Sequence, residues 1–151
     1  MQSHEPFNVL HFIRFEEESQ ERAIIMSTMK RDFDLVRDIL IQAEQCEDVL
    51  DGEILVTNER SAELIAYHLE MMRDYGLIDV KIEYAMGGHP LNMIVKKITW
   101  HGYDYLDAIR SKKIWNKAKK MINETVGEAS LSIIKDTCLL LVKQAIQLNF
   151  N

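Results

Sequence analysis

The sequence predicts an α+β domain, mostly helical, and three observations carry that expectation. Apolar residues recur at spacings of three and four in five segments after residue 29. Near the middle, two segments alternate apolar and polar residues around the tetrapeptide "GGHP", as the arms of a β-hairpin do. The chain has 151 residues, long enough to bury one core unaided, and its 47% apolar and 28% charged fractions are those of a soluble globular domain.

Residues 1–28 differ from the rest. Phe7, Val9, Leu10, Phe12, Ile13 and Phe15 are followed by an acidic stretch from Glu16 to Glu21. Met26 and Met29 stand just before the first clean helical period. The expectation is that the natural product begins at one of these methionines, or that 1–28 is a loosely docked N-terminal extension.

"MKRDFDLVRDILIQAEQ" sets Phe33, Val36, Ile39, Leu40 and Ala43 on one helical stripe, with Asp32 and Asp34 at the positive end of its dipole. "DG" at 51–52 marks a turn, and "EILVT" reads as a short strand. "NERSAELIAYHLEMMRDYG" is a second helix: Asn58 or Ser61 caps it, Ile65, Leu69 and Met72 form the buried row, and Gly76 ends it. "LIDVKIEYA" and "LNMIVKKITW" are the hairpin strands. Val80, Ile82, Tyr84, Ile94 and Ile98 make the inner alternation, and Lys81, Glu83 and Lys97 face solvent.

After Trp100 the period is helical again. Tyr105, Leu106 and Ile109 form one stripe, with Trp100 as a further core group. Ile114, Ala118, Met121 and Ile122 continue the pattern until Gly127 breaks it. The last segment carries Leu131, Ile134, Cys138, Leu141, Ala145 and Leu148 at spacings of three and four. Ile133, Leu139, Leu140, Val142 and Ile146 widen that stripe, so this 130–149 helix is expected to pack on the core or to zip against a second copy as a homodimer.

The helix ending in "YHLEMMRDYGLI", the two-stranded ribbon, and "ITWHGYDYLDAI" resemble the pattern of winged-helix domains. The signature that closes the second helix of a helix-turn-helix and enters the wing is present as Leu69, Met72, Gly76, Leu77 and Ile78. The signature that follows the wing is present as Ile98, Thr99, Gly102, Tyr105 and Leu106. More narrowly, Met-Lys-Arg-Asp-x-Asp-Leu at Met29–Leu35, Tyr-His-Leu at Tyr67–Leu69, the Thr-Trp-x-Gly run at Thr99–Arg110, Ile-Trp-Asn-Lys at Ile114–Lys117 and the segment Gly127–Ser130 resemble the bacterial and phage-associated domain of unknown function family 2513. The resemblance covers about Met29 to Leu141, and the first 28 residues depart from the family pattern. It implies a winged helix-turn-helix with a β-hairpin wing over 29–110, C-terminal helices over 111–151 packing on it or dimerising, and a phage or prophage setting. It implies no activity.

The net charge is −6. By segment it is −3 over 1–28, −6 over 29–100 and +3 over 101–151. Phosphate neutralisation supplies most non-specific nucleic-acid affinity, so only the C-terminal third offers a cationic face. Cys46 and Cys138 are the only cysteines and lack metal-ligand spacing, which predicts a reduced, cytoplasmic setting. The start has no continuous apolar run of signal-peptide type, and the longest apolar run, "CLLLV", is too short to span a bilayer.

As a catalytic or metal site the run His101, Asp104, Asp107 is poor. His101 precedes a helix starting near Gly102, Asp104 fits its first turn, and Asp107 with Arg110 reads as an ordinary i, i+3 surface pair. His4, His11, His68 and His89 are scattered, and His68, beside Leu69, reads as a partly buried structural histidine. "GGHP" lacks the spacing and the following Lys-Ser/Thr of a phosphate loop. No catalytic residue, metal or cofactor is therefore expected, and no membrane partner.

Two binding readings remain. In the first, the protein is a DNA-binding regulator contacting double-stranded DNA. Its candidate contacts are Arg60 and Arg73 on the second helix, Lys81, Lys96 and Lys97 on the wing, and Arg110, Lys112, Lys113, Lys117, Lys119 and Lys120 beyond it. In the second, the face formed by Glu59, Glu63, Tyr67, Glu70 and Asp74, where Ala66 is also expected outward, meets a basic host or phage protein.

Overall fold

The computed structural model describes residues 9–149, leaving aside the side chains of residues 22 and 25–28 within the first helix. His4 and Phe7, and the side chain of Met26, lie outside the described residues. The elements run α1 (Val9–Thr28), α2 (Phe33–Gln45), β1 (Leu50–Asp51), a 3-10 turn (Gly52–Leu55), α3 (Ala62–Asp74), β2 (Ile78–Tyr84), β3 (Pro90–Ile98), α4 (Trp100–Ile109), α5 (Lys112–Thr125) and α6 (Leu131–Asn149). The architecture is α+β and mostly helical, with one antiparallel sheet of order β1-β3-β2. No helix among the described residues is long and apolar enough to cross a membrane.

A single apolar core joins the elements from α2 to α6. Its fully buried members include Leu35, Ile39 and Leu40 of α2, Ile65, Leu69 and Met72 of α3, Tyr105, Leu106 and Ile109 of α4, and Trp115 of α5. Ile134, Cys138 and Leu141 of α6 close it on one side. Burying a residue of this size stabilises by about 1.5–3 kcal/mol, so these rows hold the helices in place.

Side-chain caps set where the helices begin. Asp32, Ser61, Thr99 and Ser111 each accept a backbone N–H from three residues on: Leu35, Leu64, Gly102 and Ile114. Of the two candidate caps for α3, Ser61 takes the role and Asn58 lies outside. Gly76, at φ +83°, ends α3, and the Leu77 N–H reaches back to the Met72 carbonyl at 2.8 Å.

Two clasps fasten α2 to its neighbours. His68 of α3 is completely buried, not partly so as expected, and its Nε2 accepts the Asp32 N–H at 2.8 Å. Nδ1 lies 2.8 Å from the Leu64 carbonyl, so the ring is the neutral tautomer protonated at Nδ1. Burial lowers its pKa, against smaller opposing contributions from the Leu64 bond and the Asp32 charge. Arg37, also buried, donates Nε to the Ile109 carbonyl at 3.0 Å and Nη2 to the Arg110 carbonyl at 2.6 Å. A guanidinium thus caps the C-terminus of α4, where the helix dipole favours a cation.

The exit from the hairpin is tight. The Thr99 N–H donates to the Leu77 carbonyl at 2.9 Å, and its hydroxyl donates to the Gly76 carbonyl at 2.5 Å. A Cβ on Gly102 would stand 2.0 Å from the Leu77 oxygen and 2.7 Å from Ile98 Cγ2. Only glycine lets the first turn of α4 pass over the start of β2.

Several expectations are corrected by this arrangement. The first three residues of "EILVT" lie in a 3-10 turn that ends at Leu55, because the Asp51 carboxylate takes the Glu53 N–H and curls the chain after two strand residues. Trp100 is 86% exposed rather than core. Thr99 starts α4 earlier than Gly102, and Trp100 then lies five residues, about 140° around the helix, from Tyr105. Asp104 falls in the second turn for the same reason. An irregularity at Asp79/Val80 sets Val80 opposite Val95, so Met93, Val95 and Ile98 point inward while Ile94 is only half-buried. Ala66 faces the core, at 1% exposure, not solvent. On α5, Ala118 and Ile122 are buried as expected, but Trp115 joins them, Ile114 is only half-buried and Met121 is exposed. On α6, Ala145 and Leu148 are exposed because the helix runs past the core after Leu141. Residues 9–28, for which no element was expected, are helical, with Val9 and Leu10 mostly in solvent and Phe12, Ile13 and Phe15 36–46% exposed.

Gly102→Ala should cost about 3 kcal/mol or more, the upper end for overpacking against backbone, read as a fall in the urea midpoint with circular dichroism intact at zero urea; an unchanged midpoint would refute the close approach. The depressed pKa of His68 gives a second expectation. Its unfolded form binds a proton below about pH 6.5 while the folded form resists, so stability is full above that pH and declines as pH falls towards the lowered folded pKa. Urea titrations between pH 7.5 and 5.5 should show this decline in the wild type and a flatter profile in His68→Gln.

Candidate nucleic-acid interface

Helix α5 turns Trp115, Ala118 and Ile122 to the core, which fixes what it shows to solvent. Lys113, Asn116, Lys117 and Lys120, at steps of three, four and seven, lie exposed on its outer face, and Lys112 is exposed beside them. Lys112, Lys113 and Lys117 form no ion pair with another described residue. Lys120 stands 3.9 Å from Glu124, a separation at which two exposed charges interact weakly.

Two further members of the sequence cluster are engaged. Lys119 donates to both oxygens of Asp34, at 2.8 and 2.6 Å, and Trp115 Nε1 donates to the same carboxylate at 2.7 Å. Burial alone would raise the Asp34 pKa, but the bonds from Lys119 and Trp115 outweigh it and hold the carboxyl below its ordinary value. Arg110 grips Glu44, with one bond at 2.9 Å, and Asp107 at 2.8 Å, so the expected pair with Asp107 is part of a three-residue bridge from α4 to α2. The sequence shows no acid between these cations; the fold brings Asp34 and Glu44 to them from α2.

The α3 side is acidic. Glu59 and Asp74 are exposed, and Glu63, Tyr67 and Glu70 half-buried. Its two arginines are occupied, Arg60 by Asp38 at 3.1 Å and Arg73 by Asp74 at 3.5 Å. Glu63 pairs with His89 of the hairpin turn, and Glu70 accepts the Tyr84 hydroxyl. The helix therefore spends two carboxylates on binding its own hairpin. On that hairpin Lys81 pairs with Glu83 at 2.6 Å, while Lys96 and Lys97 are exposed and form no ion pair with another described residue.

Tyr67 of α3 and Lys119 of α5 border one cavity of about 410 Å³. Lys30 and Arg31, which the sequence reading left out, line it as well. Their signal was present in the Met-Lys-Arg-Asp run, which serves in the sequence only as part of the family resemblance. These two cations stand where the cavity meets both α3 and α5.

The other titratable groups do not converge. His101 lies against the Tyr75 ring, 5.6 Å between centroids, while Asp104 and Asp107 are exposed along α4. Among the described residues no three of His, Cys, Asp or Glu are grouped to hold a metal ion. Cys138 is fully buried, and desolvation pushes its thiol up to about 11, so it is a core group and a poor nucleophile.

Comparison with known proteins gives a family match. A family model described as "Hypothetical protein (DUF2513)" matches residues 30–128. A Haemophilus influenzae protein described as "Uncharacterized protein" is 30% identical over 118 residues, covering 77% of this chain and 98% of its own. No solved structure matches.

The lysines should separate by stability. Lys117→Ala should change unfolding free energy by less than about 0.5 kcal/mol, as at a free surface site. Lys119→Ala should cost about 1 kcal/mol, because it strips a partly solvent-screened carboxylate of two charge-assisted bonds. Equal urea midpoints for the two variants would refute the division.

Proposed function

The chain belongs to the DUF2513 family, and on that premise we propose that it is a non-enzymatic winged-helix regulator that binds duplex DNA through the lysines of α5. The order α2, β1, α3, β2, β3 supports the winged-helix part, with β1 joining the central strand β3 of the hairpin. In this reading α3 is the second helix of the helix-turn-helix and β2–β3 is the wing. A cytoplasmic setting in a phage or prophage background belongs to the same proposal. So does a homodimer through α6, whose Ile133, Leu140 and Ile146 are each half exposed.

The observation that carries DNA binding is the outer face of α5. Lys112, Lys113, Lys117 and Lys120 stand exposed there, with no carboxylate on the helix before Glu124. Lys30 and Arg31 continue the positive field, and Lys96 and Lys97 are the spare cations of the wing. Arg60, Arg73, Arg110 and Lys119 contribute little, because each already faces a carboxylate. The α3 carboxylates would repel phosphate, so the helix lies beside the groove rather than in it. Contacts of this kind position a protein on the backbone without reading sequence.

A second reading rests on the α3 side. Asp38 offsets Arg60 and Asp74 offsets Arg73, so within the face of Glu59, Glu63, Tyr67, Glu70 and Asp74 the three glutamates leave a net acidic charge, which suits a basic protein partner.

Fluorescence anisotropy with a labelled duplex of about 30 base pairs separates the two. The expectation is binding at about 50 mM salt, with log K falling on log salt at a slope of about −3 to −4, one unit per free lysine. Lys112→Glu, Lys113→Glu, Lys117→Glu and Lys120→Glu combined should abolish it. No binding at that salt, or binding indifferent to the four changes, would overturn the DNA reading in favour of the protein partner.

A further inference from the structure

The cavity between the start of α2, α3 and the α5–α6 turn holds about 410 Å³. That is within the size range of small-molecule sites, about 300–1,000 Å³. Its walls are of two kinds. Phe33, Tyr67, Ile122 and Ile134 supply aromatic and aliphatic surface from four different helices. Lys30, Arg31 and Lys119 supply positive charge, against the single carboxylate of Glu128.

The cations are not equivalent. Lys119 is bound to Asp34, whereas Lys30 and Arg31 are exposed and form no ion pair with another described residue. The Arg31 guanidinium lies 5.7 Å from the centroid of the Phe33 ring, so a free cation and an aromatic surface border the same space. A purely apolar ligand would leave these charges unused, and a simple inorganic anion would leave the apolar walls wet. A flat apolar body carrying one anionic group satisfies both, since a carboxylate can take charge-assisted bonds at the rim while its ring displaces water from the walls.

We propose that this cavity is a binding site for a small aromatic carboxylate. The assignment stands on the cavity alone and does not depend on DNA binding by α5.

The test is titration of the full, isotope-labelled chain with 2-naphthoate and, separately, with the uncharged 2-naphthalenemethanol, followed by amide chemical shifts. The expected result is saturable movement confined to amides around the cavity, those of residues 30–33, 67, 119–123, 127–129 and 134. Naphthoate should bind about tenfold more tightly than the alcohol, because charge-assisted hydrogen bonds are about twice as strong as neutral ones. Ala129→Trp, which fills the cavity, should remove both ligands. The exposed pair Lys30→Gln and Arg31→Gln should bring naphthoate down to the affinity of the alcohol. Equal affinity for the two probes in the wild type, or shifts scattered over the surface without saturation, would overturn the proposal. So would naphthoate binding untouched by the Gln pair, and this arm decides the matter alone if Ala129→Trp does not give a dispersed spectrum.

Discussion

The contact on which the rest of the structure depends is the passage of α4 over the backbone of Leu77. The missing side chain of Gly102 lets the two chains meet, and Thr99 ties them with bonds to the Gly76 and Leu77 carbonyls. Everything downstream inherits its position from that crossing. It aims Tyr105, Leu106 and Ile109 into the core, and it delivers the C-terminus of α4 to the Arg37 guanidinium. From there α5 starts at Ser111 and lays its lysines outward. The link from the sequence to this basic surface is indirect but continuous: a turn without a Cβ orients a helix, and that helix orients the next one.

Helix α2 is the complementary element, since it supplies the counter-charge for much of the C-terminal half. Asp34 receives Trp115 and Lys119, and Glu44 receives Arg110. These bonds are partly open to solvent, so their individual energies are small. Their effect on the surface is larger, because they divide a sequence cluster of six cations into groups that hold the fold and groups left facing water. Net charge over a segment cannot make that division; only the placement of acids from elsewhere in the chain can.

Much of the fold was legible in the sequence because caps and periods agreed. The helices from α2 to α6 and the hairpin are where periodicity puts them, and the exit at Thr99 and Gly102 was readable as an exit. What was lost was lost for identifiable reasons. On α5 the expected row of Ile114, Ala118, Met121 and Ile122 competes with Trp115–Ala118–Ile122; the fold buries the second, with Trp115 bonded to Asp34, and leaves Ile114 half-buried and Met121 exposed. The strand irregularity at Asp79/Val80 shifts the inner face of β3 by one residue, which strict alternation cannot foresee. Trp100 was assigned inward on residue type, although its distance around the helix from Tyr105 argued otherwise. Of the candidate site, the lysines of α5 were visible from spacing. The cavity was not, because its walls come from four helices distant in the chain.

The two tryptophans carry a consequence of their own. Trp100 stands 86% exposed on the first turn of α4, and Trp115 is completely buried with its indole N–H on Asp34. The molecule thus contains one indole already in water and one buried and hydrogen-bonded. Loss of the fold changes the surroundings of the second far more than those of the first, so the red shift of emission on denaturation is a report from the joint between α2 and α5. A dissolved quencher such as iodide, by contrast, reads the opposite residue, and the two signals can be followed in one cuvette without altering the chain.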